Sequence, residues 1–150
     1  MEHDTPDKQP PAPPLVVDLD GTLIHSDLLW EALVLFLKTR FFDIWRLPFW
    51  LLAGKAGFKR RLAAAVCPDA ATLPYDQALL AMLRAEREQG RTLVLATGSD
   101  RRFADCVNAH LKLFDHVLAT DSDINFTAHA KARHLVGAYG EQGFDYIGNA

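Results

Sequence analysis

The 150-residue sequence has few cysteines and no excess of basic residues. Its two cysteines, Cys67 and Cys106, stand far apart without a CxxC pair, so neither a disulfide framework nor a zinc site is expected. A reduced, cytoplasmic setting follows as the default. The formal net charge of -3 gives no electrostatic case for a nucleic-acid partner. We interpret the short basic groups at 59–61 and 101–102 as solvated helix faces.

A long uninterrupted apolar run is also lacking. The stretch 28–53 is rich in Leu, Phe and Trp, but five charged residues interrupt it. A membrane-spanning helix needs roughly 20 apolar residues with few charges, so we expect no span here. Residues 1–14 are polar and proline-rich, which predicts a disordered lead-in rather than a secretory signal.

The most informative feature is the run Asp18-Leu19-Asp20-Gly21-Thr22, directly after the apolar Leu15-Val16-Val17. This pattern predicts two carboxylates at the C-terminal end of a buried strand, where open α/β sheets bind their ligands. Residues two apart in a strand point the same way. Such a pair of acids repels unless a cation, a proton or a role in phosphate transfer stabilises it.

Strand and helix patterns alternate along the rest of the chain, which predicts an α/β fold with a doubly wound parallel sheet. The predicted strands are Leu15–Leu19, Thr92–Ala96, His116–Ala119 and Phe144–Ile147. The predicted helices of the core are Tyr75–Gln89, Asp100–Leu113 and Ala128–Tyr139. No further strand follows Phe144–Ile147, so this last strand is expected at an uncovered edge.

Residues 26–73 do not follow this alternation of strands and helices, since they contain helical patterns and no clear strand. We expect helices at Leu28–Thr39, at Phe41–Ala53 with a break near Pro48, and at Phe58–Val66. So long a connection exceeds an ordinary crossover, and we interpret it as a helical cap inserted over the active-site end of the sheet. The core would then comprise residues 15–25 and 74–150.

Three later features are expected at the same end of the sheet as the acid pair. Thr97, Gly98 and Ser99 follow the second strand, where backbone N–H groups, the Thr97 hydroxyl and the next helix N-terminus form a candidate phosphate site. Lys131 lies early in the helix after the third strand and offers a positive charge. The last strand ends in Gly148 and Asn149.

Other interpretations of these residues stay open. Asp18 and Asp20 fit a turn of solvated acids, while a calcium loop lacks a required third oxygen position before the glycine. Thr97 competes with Ser99 and Asp100 as the cap of the next helix. Lys131 taken alone is an ordinary surface lysine. The aromatic residues of the cap fit cap packing or, alternatively, a helix that rests on a membrane surface.

Taken in order and spacing, these motifs resemble the haloacid dehalogenase-like (HAD) hydrolase superfamily over nearly all of residues 15–150. A helical cap directly after the first motif is similar to the phosphoserine-phosphatase-like branch. The resemblance implies a Mg²⁺-dependent phosphatase that hydrolyses a small-molecule phosphomonoester through an aspartyl-phosphate. It also implies an additional acid shortly after Gly148, which is not in this sequence, and the interrupted last motif favours a fragment of a longer protein.

The resemblance implies a role for each residue. Asp18 would be the nucleophile, and Asp20 would be the acid and base, with a pKa raised by its charged neighbour and by burial. Asp18 and the backbone carbonyl of Asp20 would hold Mg²⁺. Thr97, Gly98 and Lys131 would bind the phosphoryl oxygens, Thr97 and Lys131 acting also as catalytic residues.

A narrower resemblance concerns the cap. Its motifs, among them 28–33, 47–52 and 59–62, look like those of the HAD domain that precedes a UbiA-type membrane prenyltransferase domain in bacterial fusion proteins. The alternative hypothesis is therefore an accessory domain that binds phosphate or a lipid-linked phosphate for such a partner, with little catalysis of its own. It would place the protein at the inner face of the membrane.

Overall fold

The computed structural model describes residues 11–121 and 126–148. Within these residues, four strands form one parallel sheet in the spatial order β3-β2-β1-β4. The strands are Leu15–Asp18 (β1), Leu93–Asp100 (β2), His116–Thr120 (β3) and Asp145–Ile147 (β4). The α-helices are Leu28–Thr39 (α1), Arg46–Leu52 (α2), Gly54–Ala65 (α3), Gln77–Glu88 (α4), Arg101–Leu111 (α5) and Ala128–Tyr139 (α6). The predicted α/β class and parallel sheet are confirmed.

The central strand β1 is buried on both faces, because helices cover the sheet from both sides. Leu15 and Val17 belong to the main core with α1, α3, α4 and α5. Val16 points the opposite way and packs with Leu135 of α6. This alternation follows the two-residue period of a strand and explains why β1 is apolar at successive positions.

Residues 26–73 are helical, as predicted, and the three α-helices of this segment pack on the core. Phe36 of α1 and Leu62 of α3 are fully buried in the main cluster. The predicted helix at Phe41–Ala53 is interrupted, and the break lies at residues 44–45, shortly before Pro48. The chain turns through a short 3₁₀ helix at Phe41–Asp43, and Pro48 lies in the first turn of α2. Proline is tolerated there because the first amides of a helix have no partner inside it.

Strand β4 lies at an edge of the described sheet, as predicted. The Asp145 amide donates to the Pro14 carbonyl at 2.9 Å, and Arg91 donates to the Pro13 carbonyl at 2.8 Å while forming an ion pair with Asp145. These contacts attach the last residues of the proline-rich lead-in to the sheet. Residues 1–10 and Asn149 lie outside the described residues.

Strand β2 is longer than predicted. It continues beyond Ala96 to Asp100, and its register with β3 shifts between these two residues. Asp100 caps α5 by accepting a hydrogen bond from the Arg102 amide at 3.0 Å. Of the candidate caps at this helix, Asp100 is therefore the one used, and the helix begins three residues beyond Gly98.

In the part of the chain that the structure describes, every helix falls short of the length and apolarity that crossing a bilayer requires.

The fold brings together the two cysteines that are 39 residues apart in sequence. Cys67 follows the last helix of the cap, Cys106 lies on α5 of the core, and both side chains are exposed. Their sulfur atoms are 3.2 Å apart, with the Cys67 thiol donating. Sequence spacing gave no indication of this pair, because the contact depends on how the cap packs on the core.

The cysteine pair gives a direct test of this packing. Treatment with glutathione disulfide is expected to oxidise the two thiols to one intramolecular disulfide, which mass spectrometry detects as the loss of two hydrogen atoms and as a Cys67–Cys106 cross-linked peptide. The Cys67→Ser and Cys106→Ser variants are the matched controls. Formation of mixed glutathione adducts on both cysteines, without the cross-link, would contradict the packing of the cap on α5.

Candidate functional site

The carboxyl ends of the strands open into a cavity of about 360 Å³. Asp18 stands at the end of β1 and Asp20 in the turn that follows, so both predicted acids reach this cavity. The residues that line it come from the turn after β1, the end of β2, helix α3 of the cap and the start of α6: Asp18, Asp20, Lys55, Ala56, Lys59, Gly98, Phe126, Thr127, Ala128 and Lys131. The sheet and the cap thus enclose the site together.

Asp18 forms an ion pair with Lys131. The Lys131 ammonium donates to Asp18 Oδ1 at 2.9 Å and to the Ala96 carbonyl at 3.3 Å. Both side chains are largely buried, with exposures of 15% for Asp18 and 12% for Lys131. Thr127 caps α6 through the Ala130 amide and so fixes where Lys131 falls in the first turn. The structure therefore joins two predicted residues that are 113 positions apart.

The charge of Lys131 is maintained by this pairing. Burial by itself lowers the pKa of Lys131, because it disfavours the ammonium form. The hydrogen bond and the negative charge of Asp18 act in the opposite direction, and Tyr146 adds to them. The net result is a pKa raised above the ordinary value of 10.5, so Lys131 is a cation at neutral pH.

Asp20 faces a different set of partners. Its Oδ2 accepts hydrogen bonds from the hydroxyls of Thr97 at 3.0 Å and Ser99 at 2.7 Å. Its Oδ1 accepts from the Leu28 amide at 2.9 Å, one of the first amides of α1 that have no partner inside the helix. One carboxylate thus connects the first strand's turn, the end of the second strand and the entry to the cap.

Burial raises the pKa of Asp20 above its ordinary value of 3.8, since loss of water disfavours the charged carboxylate. The three hydrogen bonds oppose the increase, while the negative charge of Asp27 adds to it. The predicted direction and the predicted cause of burial are confirmed. The charged neighbour among the causes is Asp27 rather than the expected Asp18.

Thr97 and Gly98 occupy different environments. Thr97 is completely buried, and its hydroxyl also accepts from the Ser99 amide at 3.0 Å. It therefore touches Asp20, while Gly98 lines the cavity. A side chain at residue 98 would come within 3.1 Å of the Phe126 carbonyl, so glycine fits this close approach. A direct contact of Thr97 with phosphate stays a prediction.

Two lysines of the cap were not predicted as site residues. Lys55 and Lys59 of α3 line the cavity, and Lys59 donates to the Gly98 carbonyl at 3.2 Å. The interpretation of 59–61 as a solvated face is therefore wrong for Lys59, although Arg60 and Arg61 are exposed. The sequence shows only that this lysine lies in the cap. Whether its side chain points into the cavity depends on how α3 packs.

Ser99 was expected in the turn of the candidate phosphate site or as a helix cap, but its side chain was not predicted to contact Asp20. Its hydroxyl forms the shortest described hydrogen bond to Asp20. The continued strand after Ala96 brings Thr97 and Ser99 to the same carboxylate, since residues two apart in a strand share a face.

The donor set agrees with Mg²⁺ only in part. Asp18 and Asp20 supply the hard oxygen atoms that this ion prefers, and Mg²⁺ keeps several water ligands in proteins. The Asp20 carboxylate already accepts three hydrogen bonds, and the family resemblance implies its backbone carbonyl as the metal ligand. Among the described residues, no group of three acidic, histidine or cysteine side chains surrounds a common point. The two acids thus supply only part of a ligand set for Mg²⁺, and water would have to complete it.

Comparison with known proteins identifies the family. A family model described as haloacid dehalogenase-like hydrolase matches residues 15–142. An uncharacterised protein of Sinorhizobium fredii (strain NBRC 101917 / NGR234) is 33% identical over 138 residues, which cover 91% of this chain and 26% of that protein. The chain thus spans about a quarter of the length of this curated relative.

Solved structures share the fold at low sequence identity. A HAD family hydrolase of Salmonella enterica serovar Typhi has a TM-score of 0.58 at 17% identity, over 94% of this chain and 57% of its own. A phosphoserine phosphatase complex has a TM-score of 0.53 at 11% identity, over 91% and 75% of the two chains. An L-2-haloacid dehalogenase has 0.51 at 21% identity, over 91% and 78%. The narrower resemblance to prenyltransferase-linked domains stays a prediction.

The electrostatics of Asp20 predict a pH-dependent difference in stability. Because its native carboxyl binds a proton more tightly than in the unfolded chain, Asp20 favours folding below pH 3.8, and this contribution is lost as the pH rises through its native pKa. The Asp20→Asn variant keeps a neutral group at every pH. Its melting temperature relative to the parent is therefore expected to increase as the pH is raised from 3.8 towards neutral.

The measurement is thermal unfolding of both proteins across this pH range. Asp105→Asn, which removes an exposed acid on α5, is the control for a general change in net charge. A difference between Asp20→Asn and the parent that stays constant with pH would contradict the raised pKa of Asp20.

Proposed function

Because the chain belongs to the haloacid dehalogenase-like hydrolase family, we propose that it carries the active site of a phosphatase that hydrolyses a small phosphomonoester. The proposal rests on one observation: two acids lie in the same cavity, and each of them has different hydrogen-bond partners. Asp18 is next to a buried ammonium group, and Asp20 is next to two hydroxyls and a helix amide. One acid is thus prepared to act as a nucleophile and the other to exchange a proton.

In the proposed reaction, an oxygen of Asp18 attacks phosphorus and forms an aspartyl-phosphate. The bond from phosphorus to the leaving oxygen breaks, and Asp20 gives that oxygen its proton. Asp20 then takes a proton from a water molecule that attacks the intermediate, which releases inorganic phosphate and restores Asp18. The raised pKa of Asp20 supports this assignment, because it increases the protonated fraction needed for the first step.

Charge stabilisation is assigned to the lysines and to the backbone around residue 98. Lys131, Lys55 and Lys59 bring three positive side chains to the cavity. Preorganised charges of this kind stabilise the negative charge that spreads over phosphoryl oxygens in the transition state. Thr97 fits a positioning role, since its hydroxyl holds Asp20 and the backbone at Ser99.

A requirement for Mg²⁺ is part of the proposal. Asp18 and the backbone carbonyl of Asp20 would hold the ion. When bound, Mg²⁺ would offset charge on the phosphate and on Asp18, so that the two anions approach each other.

The three lysines of the cavity favour a phosphate ester over a haloacid as substrate. A phosphate monoester brings about two negative charges at neutral pH, whereas a 2-haloacid brings a single carboxylate. The cavity contains three lysines and two acids among its lining residues, a formal excess of one positive charge. A bound Mg²⁺ would add two more positive charges, so the loaded site would suit a dianion.

The central test is the Asp18→Asn variant, assayed with p-nitrophenyl phosphate with and without Mg²⁺. The amide resembles the carboxylate in shape and still accepts a hydrogen bond from Lys131, so the fold is expected to persist while turnover disappears. Asp105→Asn is the matched control and is expected to keep parental turnover. Unchanged hydrolysis by Asp18→Asn would overturn the proposal, and release of chloride from 2-chloropropionate without phosphatase activity would replace it with dehalogenation.

Asp20→Asn tests the proton transfer separately. Loss of a general acid and base is expected to reduce kcat by about 10²- to 10⁴-fold. With an activated ester such as p-nitrophenyl phosphate, the second step should suffer most, because that leaving group needs little protonation. Rapid quenching and borohydride reduction should then reveal accumulated aspartyl-phosphate at Asp18 as homoserine. An unchanged kcat would remove Asp20 from the proton-transfer role.

A further inference from the structure

The cap carries an apolar surface that nothing in the described structure covers. Eight of the eleven exposed large hydrophobic side chains among the described residues fall between residues 30 and 52. We define the aromatic face by its six most exposed members: Trp30, Phe41, Phe42, Trp45, Phe49 and Leu52. Phe42 is 91% exposed and Leu52 84%. Concentrated apolar exposure of this kind marks a contact surface, whereas single exposed residues are ordinary.

Along helix α2 the members of the aromatic face lie together on one side of the helix. Leu47 and Trp50 pack against the core, and the Trp50 ring lies 5.3 Å from that of Phe36. Trp45, Phe49 and Leu52 follow a helical spacing of four and three residues, so they share the opposite face. A helix that is apolar on both sides is normally buried on both sides. We therefore expect the outer side of α2 to contact a second apolar surface, in addition to the core.

The charge around this face indicates what that environment is. Without Lys55 and Lys59, which line the cavity, residues 28–66 contain five Lys and Arg against two Asp and Glu, a formal charge of +3 in a chain whose total is -3. Arg40 directly precedes Phe41, and Arg46 directly follows Trp45. Arg40 and Arg46 each lie 3.6 Å from the single acid Asp43 and are about half exposed. Basic residues interleaved with aromatic ones are typical of segments that rest on anionic lipid.

We propose that the aromatic face docks on the surface of an anionic lipid bilayer. Trp, Phe and Leu side chains enter the boundary between headgroups and acyl chains, and the surrounding Lys and Arg side chains contact lipid phosphates. The described helices lie along the surface in this arrangement, since none is suited to cross the bilayer. Docking of a second copy through the same face is disfavoured because it would bring two positively charged segments together.

The proposal is independent of phosphatase activity, and its test measures binding alone. The chain is sedimented with vesicles of phosphatidylcholine and with vesicles of phosphatidylcholine mixed with phosphatidylglycerol. Binding is expected to the mixed vesicles, and it should weaken as salt increases because charges at the surface are screened. The Phe42→Glu/Leu52→Glu variant is expected to show a partition coefficient that is lower by about tenfold or more. Each substitution removes apolar area that the lipid would bury and adds a negative charge that anionic lipid repels.

Both substituted side chains are exposed, so the variant is expected to fold, and circular dichroism with thermal unfolding checks this. Met82→Glu, which alters an exposed apolar residue of α4, is the matched control and should bind like the parent. Equal sedimentation of parent and double variant would overturn the proposal. So would absence of binding to mixed vesicles, and analytical ultracentrifugation would then show whether the face joins two copies or is left for another protein.

Discussion

The carboxylate of Asp20 accepts three hydrogen bonds from two separate parts of the chain, and the site depends on this one group. The Leu28 amide comes from the start of the cap, while the Thr97 and Ser99 hydroxyls come from the end of the second strand. These contacts fix the turn after the first strand relative to both the sheet and the cap. They also satisfy a group that would be costly to bury without partners.

Two aspartates separated by one residue acquire different properties because their partners differ. Asp18 meets the Lys131 ammonium, which arrives on a helix more than a hundred residues later in the chain. Asp20 meets neutral donors and is withdrawn from water, so its pKa is raised. Such a division suits a reaction that needs one carboxylate as nucleophile and one carboxyl group as proton donor. Both residues are aspartates, so the proposed phosphatase mechanism depends on the different surroundings of their side chains.

The sequence was sufficient to predict the strands, their parallel arrangement and the position of Asp18 and Asp20 at the carboxyl end of β1, because these follow from local patterns and from the geometry of a parallel sheet. The meeting of Lys131 with these acids was implied by the family resemblance, since Lys131 taken alone is an ordinary surface lysine. The partner of the Thr97 hydroxyl could not be predicted, since it depends on a strand that continues beyond Ala96 with a shifted register. Lys59 was misread because its direction depends on the packing of α3 on the core. The cysteine contact has the same origin, since it joins the cap to α5.

The most direct measurement of the central claim is a carbon-13 NMR titration of the Asp20 carboxyl in the folded chain. The account predicts a midpoint above the ordinary value of 3.8, because burial outweighs the hydrogen bonds that favour the charged form. It further predicts a higher midpoint in Ser99→Ala, which removes one of those hydrogen bonds. A midpoint at or below 3.8 would contradict the account, since Asp20 would then be no better a proton donor than any exposed aspartate.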